Sequence, residues 1–283
     1  GKAEGTQGNQ AGTGEIQGNQ GQAGDGIEAD GDLLMRAAAA SLNKEEITEE
    51  DLKDVVRVAV IGTTIYDMTK SFELDSMAHE DENYLNTFGQ GTIADISLLA
   101  KMPNLSEVYL YNQKITDIGA LKGLPIRKLY LSGNQIEDFR VLESLPNLKE
   151  LFISKNPIRY LPDFSKCPKL KSLEMNENTF ANLDCLKGAS VEWMAIRKVN
   201  VVNGDYTFLE EMPELVRLLI WNPEAELAEE VSRLTNLREF ELFDYHDTRL
   251  DFIKPLQNLE YLCLHGHSEM ELAPLKSLGK LSN

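Results

Sequence analysis

Apolar positions recur along the chain in a fixed, asymmetric unit. In the best-preserved stretch, apolar residues occupy positions one, four and six, an amide follows at position nine, and another apolar residue follows at position eleven. The four units begin at Leu105, Ile126, Leu148 and Leu170, with spacings of 21, 22 and 22 residues. A second apolar triplet with spacing of about three closes each unit, as at Phe139, Leu142 and Leu145 in the second unit. Self-similarity at this period is typical of a repeat architecture.

The spacing within the unit predicts how each repeat folds. Positions four and six of a short strand point to the same side, so they face a common core. A buried amide at the turn satisfies backbone groups that would otherwise lack hydrogen bonds. The closing triplet fits a short helical or 3₁₀ segment on the opposite side. No single unit buries its apolar side, so the units stack. We therefore predict an α/β leucine-rich repeat solenoid, with a curved parallel sheet on the concave face and short helical or 3₁₀ turns on the convex face.

The pattern extends on both sides of these four units. Four further units begin at Val191, Leu215, Leu237 and Leu259, but their turn position holds Val199, Pro223, Tyr245 and His267 in place of the amide. Upstream, Val55 to Ile65 fits the first half of a unit and Ile93 to Met102 fits the second half, which gives one or two degenerate repeats. We expect a helical cap over 32–54, with a capping box at Thr48, and a repeat domain over 55–283. Within that domain the segments are degenerate repeats at 55–104, regular repeats at 105–190 and less regular repeats at 191–283.

The first 31 residues differ from the rest of the chain. They hold ten of the twenty glycines and no aromatic residue. Such a segment has too little apolar surface to offset the entropy of ordering, which predicts a disordered Gly/Gln-rich tether over 1–31. A secreted lipoprotein whose anchoring cysteine precedes Gly1 would begin in this way, and we see no signal peptide after Gly1. We expect an extracellular or cell-surface location, and a cytoplasmic one stays open.

Charge and composition remove several classes of function. With 28 Lys and Arg against 46 Asp and Glu, the net charge is −18, which argues against nucleic acid or an anionic membrane as the main partner. No apolar run approaches the ~20 residues of a transmembrane helix. Three cysteines without a paired spacing predict free thiols in place of a disulfide framework. We expect a monomer.

The units around Asn134 to Phe139 and Ile115 to Ile118 resemble the 22-residue repeat class of bacterial internalin-like surface proteins. The segment from Leu33 to Leu52 is similar to the helical N-terminal cap of that class. The resemblance spans about residues 32–283, with firm motifs between 105 and 186. It implies a protein-interaction scaffold that binds through its concave face. We expect a departure from the internalin pattern, since no cell-wall sorting signal and no immunoglobulin-like domain are visible in the sequence after the repeats.

Catalytic motifs are missing from the sequence. It has no phosphate-binding G-x-x-x-x-G-K-[ST], no H-E-x-x-H and no G-x-S-x-G, so we expect no enzyme and no cofactor. His265 and His267 are the one histidine pair that could bind a metal, but the repeat register makes them diverge, so we expect no metal site. The acidic segment 79–83 lacks calcium-loop spacing and reads as solvated surface.

The strand positions between the core residues suggest a binding surface. We call the residues at one position of successive repeats a column and number it by that position. Column five holds Ala59, Tyr109, Tyr130, Phe152, Glu174, Ala195, Leu219, Glu241 and Cys263. We expect positions two, three, five, seven and eight of each strand to face solvent. The candidate ligand-binding residues are Tyr109, Tyr111, Tyr130, Phe152, Trp193, Arg197, Leu219, Trp221 and Phe243. Exposed aromatic residues favour a protein partner. A carbohydrate ligand on the aromatic platform is the alternative, and a purely structural spacer is a third possibility. The aromatic residues could also serve to stabilise one another across strands, or be covered by a cap segment.

Overall fold

The computed structural model describes residues 29–66, 88–221, 223, 225–247, 249–266 and 270–281. Most of the predicted tether, the acidic segment 79–83 and His267 lie outside these residues. In the described part of the chain, none of the helices is both long enough and apolar enough to cross a membrane.

A ten-stranded, almost entirely parallel sheet runs the length of the molecule. Its strands lie side by side in chain order, apart from β2, which pairs antiparallel with β1 at one edge. The strands of this sheet are β1 (Arg57–Ile61), β2 (Thr64–Ile65), β3 (Glu107–Tyr111), β4 (Lys128–Tyr130), β5 (Glu150–Phe152), β6 (Ser172–Glu174), β8 (Trp193–Ile196), β10 (Arg217–Trp221), β11 (Glu239–Tyr245) and β12 (Tyr261–Gly266). A second sheet pairs β7 (Thr179–Phe180) with β9 (Asn200–Val201) in parallel. The predicted leucine-rich repeat solenoid is confirmed.

Short 3₁₀ turns form the opposite side of most repeats. They are Glu49–Asp54, Ser97–Lys101, Gly119–Leu121, Arg140–Ser144, Phe164–Lys166, Asp184–Leu186, Thr207–Glu211, Asp251–Ile253 and Ala273–Ser277. The repeat after β10 carries an α-helix instead, α2 (Ala225–Val231). The residues at positions four and six and the closing triplets, among them Leu129, Leu131 and Phe139, fill one continuous core between the two sides.

The first strand is preceded by α1 (Asp30–Ser41), which buries Leu34, Ala37 and Ala38 against it. The Asp30 carboxylate accepts hydrogen bonds from the backbone N–H groups of Ala94 and Asp95, both at 2.8 Å, and so links α1 to the first repeat. The predicted capping box is present: Thr48 and Asp51 satisfy the first turn of the 3₁₀ segment that follows.

The degenerate upstream motifs belong to a single repeat. Strand β1 pairs directly with β3, so no further strand lies between them. Ile93, Ile96, Leu99 and Met102 are buried and supply the convex half of that repeat. The two halves are therefore separated in sequence by residues 67–87 but belong to the same structural unit.

The turn position holds a hydrogen-bonded amide wherever the sequence keeps one. Asn156 is 5% exposed, donates to the carbonyls of Leu131 and Ile153, and accepts from the N–H of Ile136. Gln113 acts in the same way at the first turn, where its longer side chain fills the space that a Cβ on Gly91 would need. Where Val199 takes the place of the amide, the position stays buried and the Val199 carbonyl accepts a hydrogen bond from the hydroxyl of Tyr206.

Candidate binding surface on the concave sheet

The register predicted for the concave face is confirmed. In-register pairing across neighbouring strands joins Ala59, Tyr109, Tyr130, Phe152, Glu174, Ala195, Leu219, Glu241 and Cys263 into one column. Trp221 and Phe243 are likewise paired, as are Phe243 and His265. Each strand therefore contributes the expected residue at the expected place.

The expectation that these aromatic residues face solvent is wrong for most of them. The exposed fraction is 2% for Tyr109, 2% for Tyr111, 1% for Tyr130, 3% for Phe152, 8% for Trp193 and 6% for Leu219. Together with Ala59, Ile61 and Ala195 they form a second apolar cluster on the concave side, and Tyr66 and Phe88 pack against it. The concave face of β1, β3, β4, β5 and β8, together with Leu219 of β10, is thus a second core.

Ring stacking explains much of this burial. The centroid of Tyr130 lies 4.6 Å from that of Tyr109 and 4.4 Å from that of Phe152, and Phe152 stacks on Trp193 at 5.7 Å. Neighbouring strands in a sheet lie about 4.7–4.9 Å apart, which is close to the distance at which aromatic rings stack. Tyr109, Tyr130 and Phe152 are in register on neighbouring strands and therefore cover each other's faces, while Trp193 reaches Phe152 from two strands away. We call Tyr109, Tyr130, Phe152 and Trp193 the aromatic ladder.

Polar side chains in column seven are also buried. Ser132, Ser154 and Asn176 are 5%, 6% and 8% exposed. The hydroxyl of Ser132 accepts from the N–H of Ser154 at 3.1 Å, and that of Ser154 accepts from the N–H of Asn176 at 2.9 Å. The Ser154 hydroxyl also donates to the carboxylate of Glu174 at 2.7 Å. Burial raises the pKa of Glu174 to about 7.

The second half of the concave face is different, because its column-seven residues remain accessible. Arg197, Trp221 and Phe243 are partly buried and His265 is exposed. The guanidinium of Arg197 lies 5.6 Å from the centroid of the Trp221 ring, Trp221 stacks on Phe243 at 4.5 Å, and Phe243 stacks on His265 at 4.3 Å. We call these four residues the accessible row. Sequence reasoning singled out the first three and left His265 outside the binding set.

A groove opens beside the accessible row, at the carboxyl ends of β8, β10 and β11. Its volume is about 620 Å³, and its lining includes positively charged, negatively charged and aromatic side chains. It is lined by Ile196, Arg197, Lys198, Val199, Asn200, Tyr206, Trp221, Pro223, Leu227, Asp244 and His246.

Ion pairs flank the row on its other side. Arg217 bonds to Glu239 at 3.2 Å and to Glu241 at 2.8 Å. Arg57 and Glu107, and Lys128 and Glu150, pair in the same column of earlier repeats, at 2.9 Å and 3.2 Å. Such pairs hold neighbouring repeats in register, and each is worth about 0–1 kcal/mol where solvent screens it.

Comparison with known proteins supports the leucine-rich repeat fold. The family model for leucine-rich repeats, in two copies, matches residues 126–162 and 146–188. The chain is similar in structure to internalin C2 from Listeria monocytogenes, with a TM-score of 0.57 and 21% identity over 82% of this chain and 92% of that one. An internalin from the same organism, inlF, aligns with a TM-score of 0.42 and 19% identity over 88% of this chain and 93% of that one. No curated protein sequence matches the chain.

Proposed function

We propose that this leucine-rich repeat protein, whose solenoid has the internalin-like fold, is a non-enzymatic scaffold that binds a protein partner through the second half of its concave face. The accessible row is the observation that carries the proposal. It places a tryptophan, an arginine and a phenylalanine next to each other beside a groove, and Trp and Arg are the residue types that dominate protein–protein hot spots.

The first half of the face has a structural role in this proposal. The aromatic ladder is buried, so its rings cannot contribute contact area to a partner without rearrangement. The predicted site therefore contracts from nine residues to Arg197, Trp221 and Phe243, with His265 added. Leu219 and Trp193 belong to the buried concave cluster, and Trp221 and Phe243 pack against that cluster.

Stacking within the row favours protein over carbohydrate. Sugar rings bind on the open face of an aromatic ring. Both faces of Trp221 have neighbours, Arg197 on one side and Phe243 on the other, and Phe243 lies in turn between Trp221 and His265. The row therefore offers ring edges and charged groups to a ligand, and these suit the side chains of a protein surface.

We also propose that the protein works outside the cell, held by its N-terminal segment. The support is compositional: residues 1–29, which precede α1, hold nine of the twenty glycines and no aromatic residue. A flexible connection of that kind would present the concave face at a distance from an anchoring point. Anchoring upstream of Gly1 would be tested by radiolabelled fatty-acid incorporation into the natural precursor.

Site-specific photo-crosslinking tests the binding surface. A photoreactive phenylalanine derivative placed at Phe243 should crosslink to one defined protein when the chain is irradiated in an extract that contains its natural partner. The matched control carries the same group at Tyr160, which is 52% exposed and lies outside the ten-stranded sheet. Crosslinking to the same protein from both positions would contradict the proposal, and so would a glycan adduct at Phe243.

A further inference from the structure

Three different metal-ligating side chains meet at the end of the concave sheet. Glu241 lies on β11, and Cys263 and His265 lie on β12. Glu241 and Cys263 are register partners on neighbouring strands, and His265 follows Cys263 by two residues, so all three side chains point to the same side. Their ligand atoms lie within 4.8 Å of one another. The Sγ of Cys263 and the Nε2 of His265 are 3.0 Å apart.

Neighbouring groups orient two of these side chains. The ring of His265 stacks on Phe243 with an interplanar angle of 4°, which fixes the plane of the imidazole while Nε2 faces Cys263. The Glu241 carboxylate is held by Arg217 through Oε1. A carboxylate has about four acceptor positions, so this ion pair leaves capacity for a metal. In metal sites, residues that contact the ligands commonly fix the orientation of the ligands in this way.

We propose that Glu241, Cys263 and His265 form a three-ligand site for Zn²⁺. Zinc binds thiolate at about 2.3 Å, imidazole at about 2.0–2.1 Å and carboxylate at about 2.0–2.2 Å, in tetrahedral geometry. Those bond lengths put the ligand atoms roughly 3.5 Å apart around the ion, so small side-chain rotations suffice. His265 is exposed, which leaves the fourth position open to water.

The charges balance when the metal binds. The Cys263 thiol gives its proton to solvent as the Zn–S bond forms, and the ion meets one thiolate and one carboxylate, which together neutralise its two positive charges. The site shares His265 with the accessible row. Its tests use only the metal ion and no protein partner, so they can fail or succeed separately from the proposed function.

Cobalt substitution tests the site directly. The full chain is first reduced with a reagent that contains no thiol. Added Co²⁺ should then give a thiolate-to-cobalt charge-transfer band and the visible bands of four-coordinate cobalt. One equivalent of Zn²⁺ should displace it, and about one proton should be released per ion. Cys263→Ser should abolish the charge-transfer band. The matched control, Cys185→Ser, removes another partly buried thiol and should leave the band unchanged.

Two further variants separate loss of a ligand from loss of folding. His265→Gln alters an exposed side chain and should weaken zinc affinity by more than about tenfold, whereas His246→Gln should not. Glu241→Gln should also weaken it, at an unchanged circular dichroism spectrum. The proposal is overturned if cobalt gives no charge-transfer band, if Cys263→Ser keeps it, or if His265→Gln binds zinc as tightly as the unsubstituted chain.

Discussion

At the scale of single residues, buried polar side chains set the shape of each repeat. Asn156 and Asn178 occupy equivalent turn positions, but their bonding differs. Asn156 Oδ1 accepts from the N–H of Ile136, whereas among the described residues Asn178 Oδ1 has no hydrogen-bond partner. The cause is local: the N–H of Ile158 bonds to the carbonyl of Asn156 and so is not available to Asn178. Asparagine at the same turn position therefore contributes unequally to the stability of different repeats.

Asn156→Ala should lower the free energy of unfolding by about 1–3 kcal/mol, since it leaves buried backbone groups without partners. Asn178→Ala serves as the matched variant and should cost less, because it breaks fewer hydrogen bonds. Chemical denaturation of both variants measures the difference. Equal losses, or a neutral Asn156→Ala, would contradict the role given to the turn amide.

Glu174 gives the concave face a pH-dependent residue. Burial raises the pKa of its carboxyl from 4.5 to about 7 in the folded chain. The folded state therefore binds more protons than the unfolded state between these values. Its contribution to stability is present at low pH and is lost as pH rises from about 4.5 to about 7.

Relative to Glu174→Gln, the unsubstituted chain should lose stability as pH rises from about 5 to about 8. Urea denaturation of both proteins across this range measures the change. Glu260→Gln, which removes an exposed carboxylate, controls for the general effect of one charge. Parallel pH profiles for the unsubstituted chain and Glu174→Gln would show that Glu174 is not perturbed.

At the scale of elements, neighbouring strands stabilise one another on both faces of the sheet. Leu131 faces the main core and is fully buried, while Tyr130 belongs to the aromatic ladder and is 1% exposed. The Tyr130 hydroxyl donates to Glu150 at 2.6 Å. Adjacent residues of one strand thus contribute to two separate cores.

Tyr130→Ala should destabilise the protein by roughly 3–5 kcal/mol, comparable to the ~2–5 kcal/mol expected of Leu131→Ala, because each leaves a cavity. The expectation from sequence was different, since a solvent-facing Tyr130 would be removed at little cost. Thermal and urea unfolding of the two variants decide the point. If Tyr130→Ala is nearly neutral while Leu131→Ala is not, the concave cluster is not a core.

Much of the fold could be predicted from sequence because the repeat period fixes which side of the sheet each residue occupies. The column containing Tyr109, Tyr130 and Phe152 follows from that period alone. Exposure does not follow from the period, because the period shows which residues share a face and not what covers that face; of the explanations open from sequence, mutual stacking across strands is the one the structure supports for the buried column. Strand spacing close to ring-stacking distance is what buries these residues, and Tyr66 and Phe88 pack on them from outside the repeat pattern.

The cluster of Glu241, Cys263 and His265 was missed for a related reason. His265 and His267 are close along the chain and were therefore the pair that the sequence indicated as a possible metal site. The structural cluster combines two strands, and only the alignment of Glu241 with Cys263 in column five could have indicated it.

At the scale of the whole molecule, one solenoid carries two concave surfaces of different character. Strands β1, β3, β4, β5 and β8 close their face with an apolar cluster that contains the aromatic ladder, while β10 to β12, together with Arg197, leave the row and its groove accessible. A continuous core runs beneath both halves, so the accessible half is held on a rigid support. This division of the sheet is the basis of the proposed function.

The most direct test measures stability and partner affinity together for Trp221→Ala, using the protein identified by crosslinking at Phe243. We expect the variant to keep the unfolding free energy of the unsubstituted chain to within about 1–2 kcal/mol, since Trp221 is only partly buried. Its affinity for the partner should fall by about 2 kcal/mol or more, as for a hot-spot tryptophan. A folded Trp221→Ala that binds the partner with unchanged affinity would contradict the account.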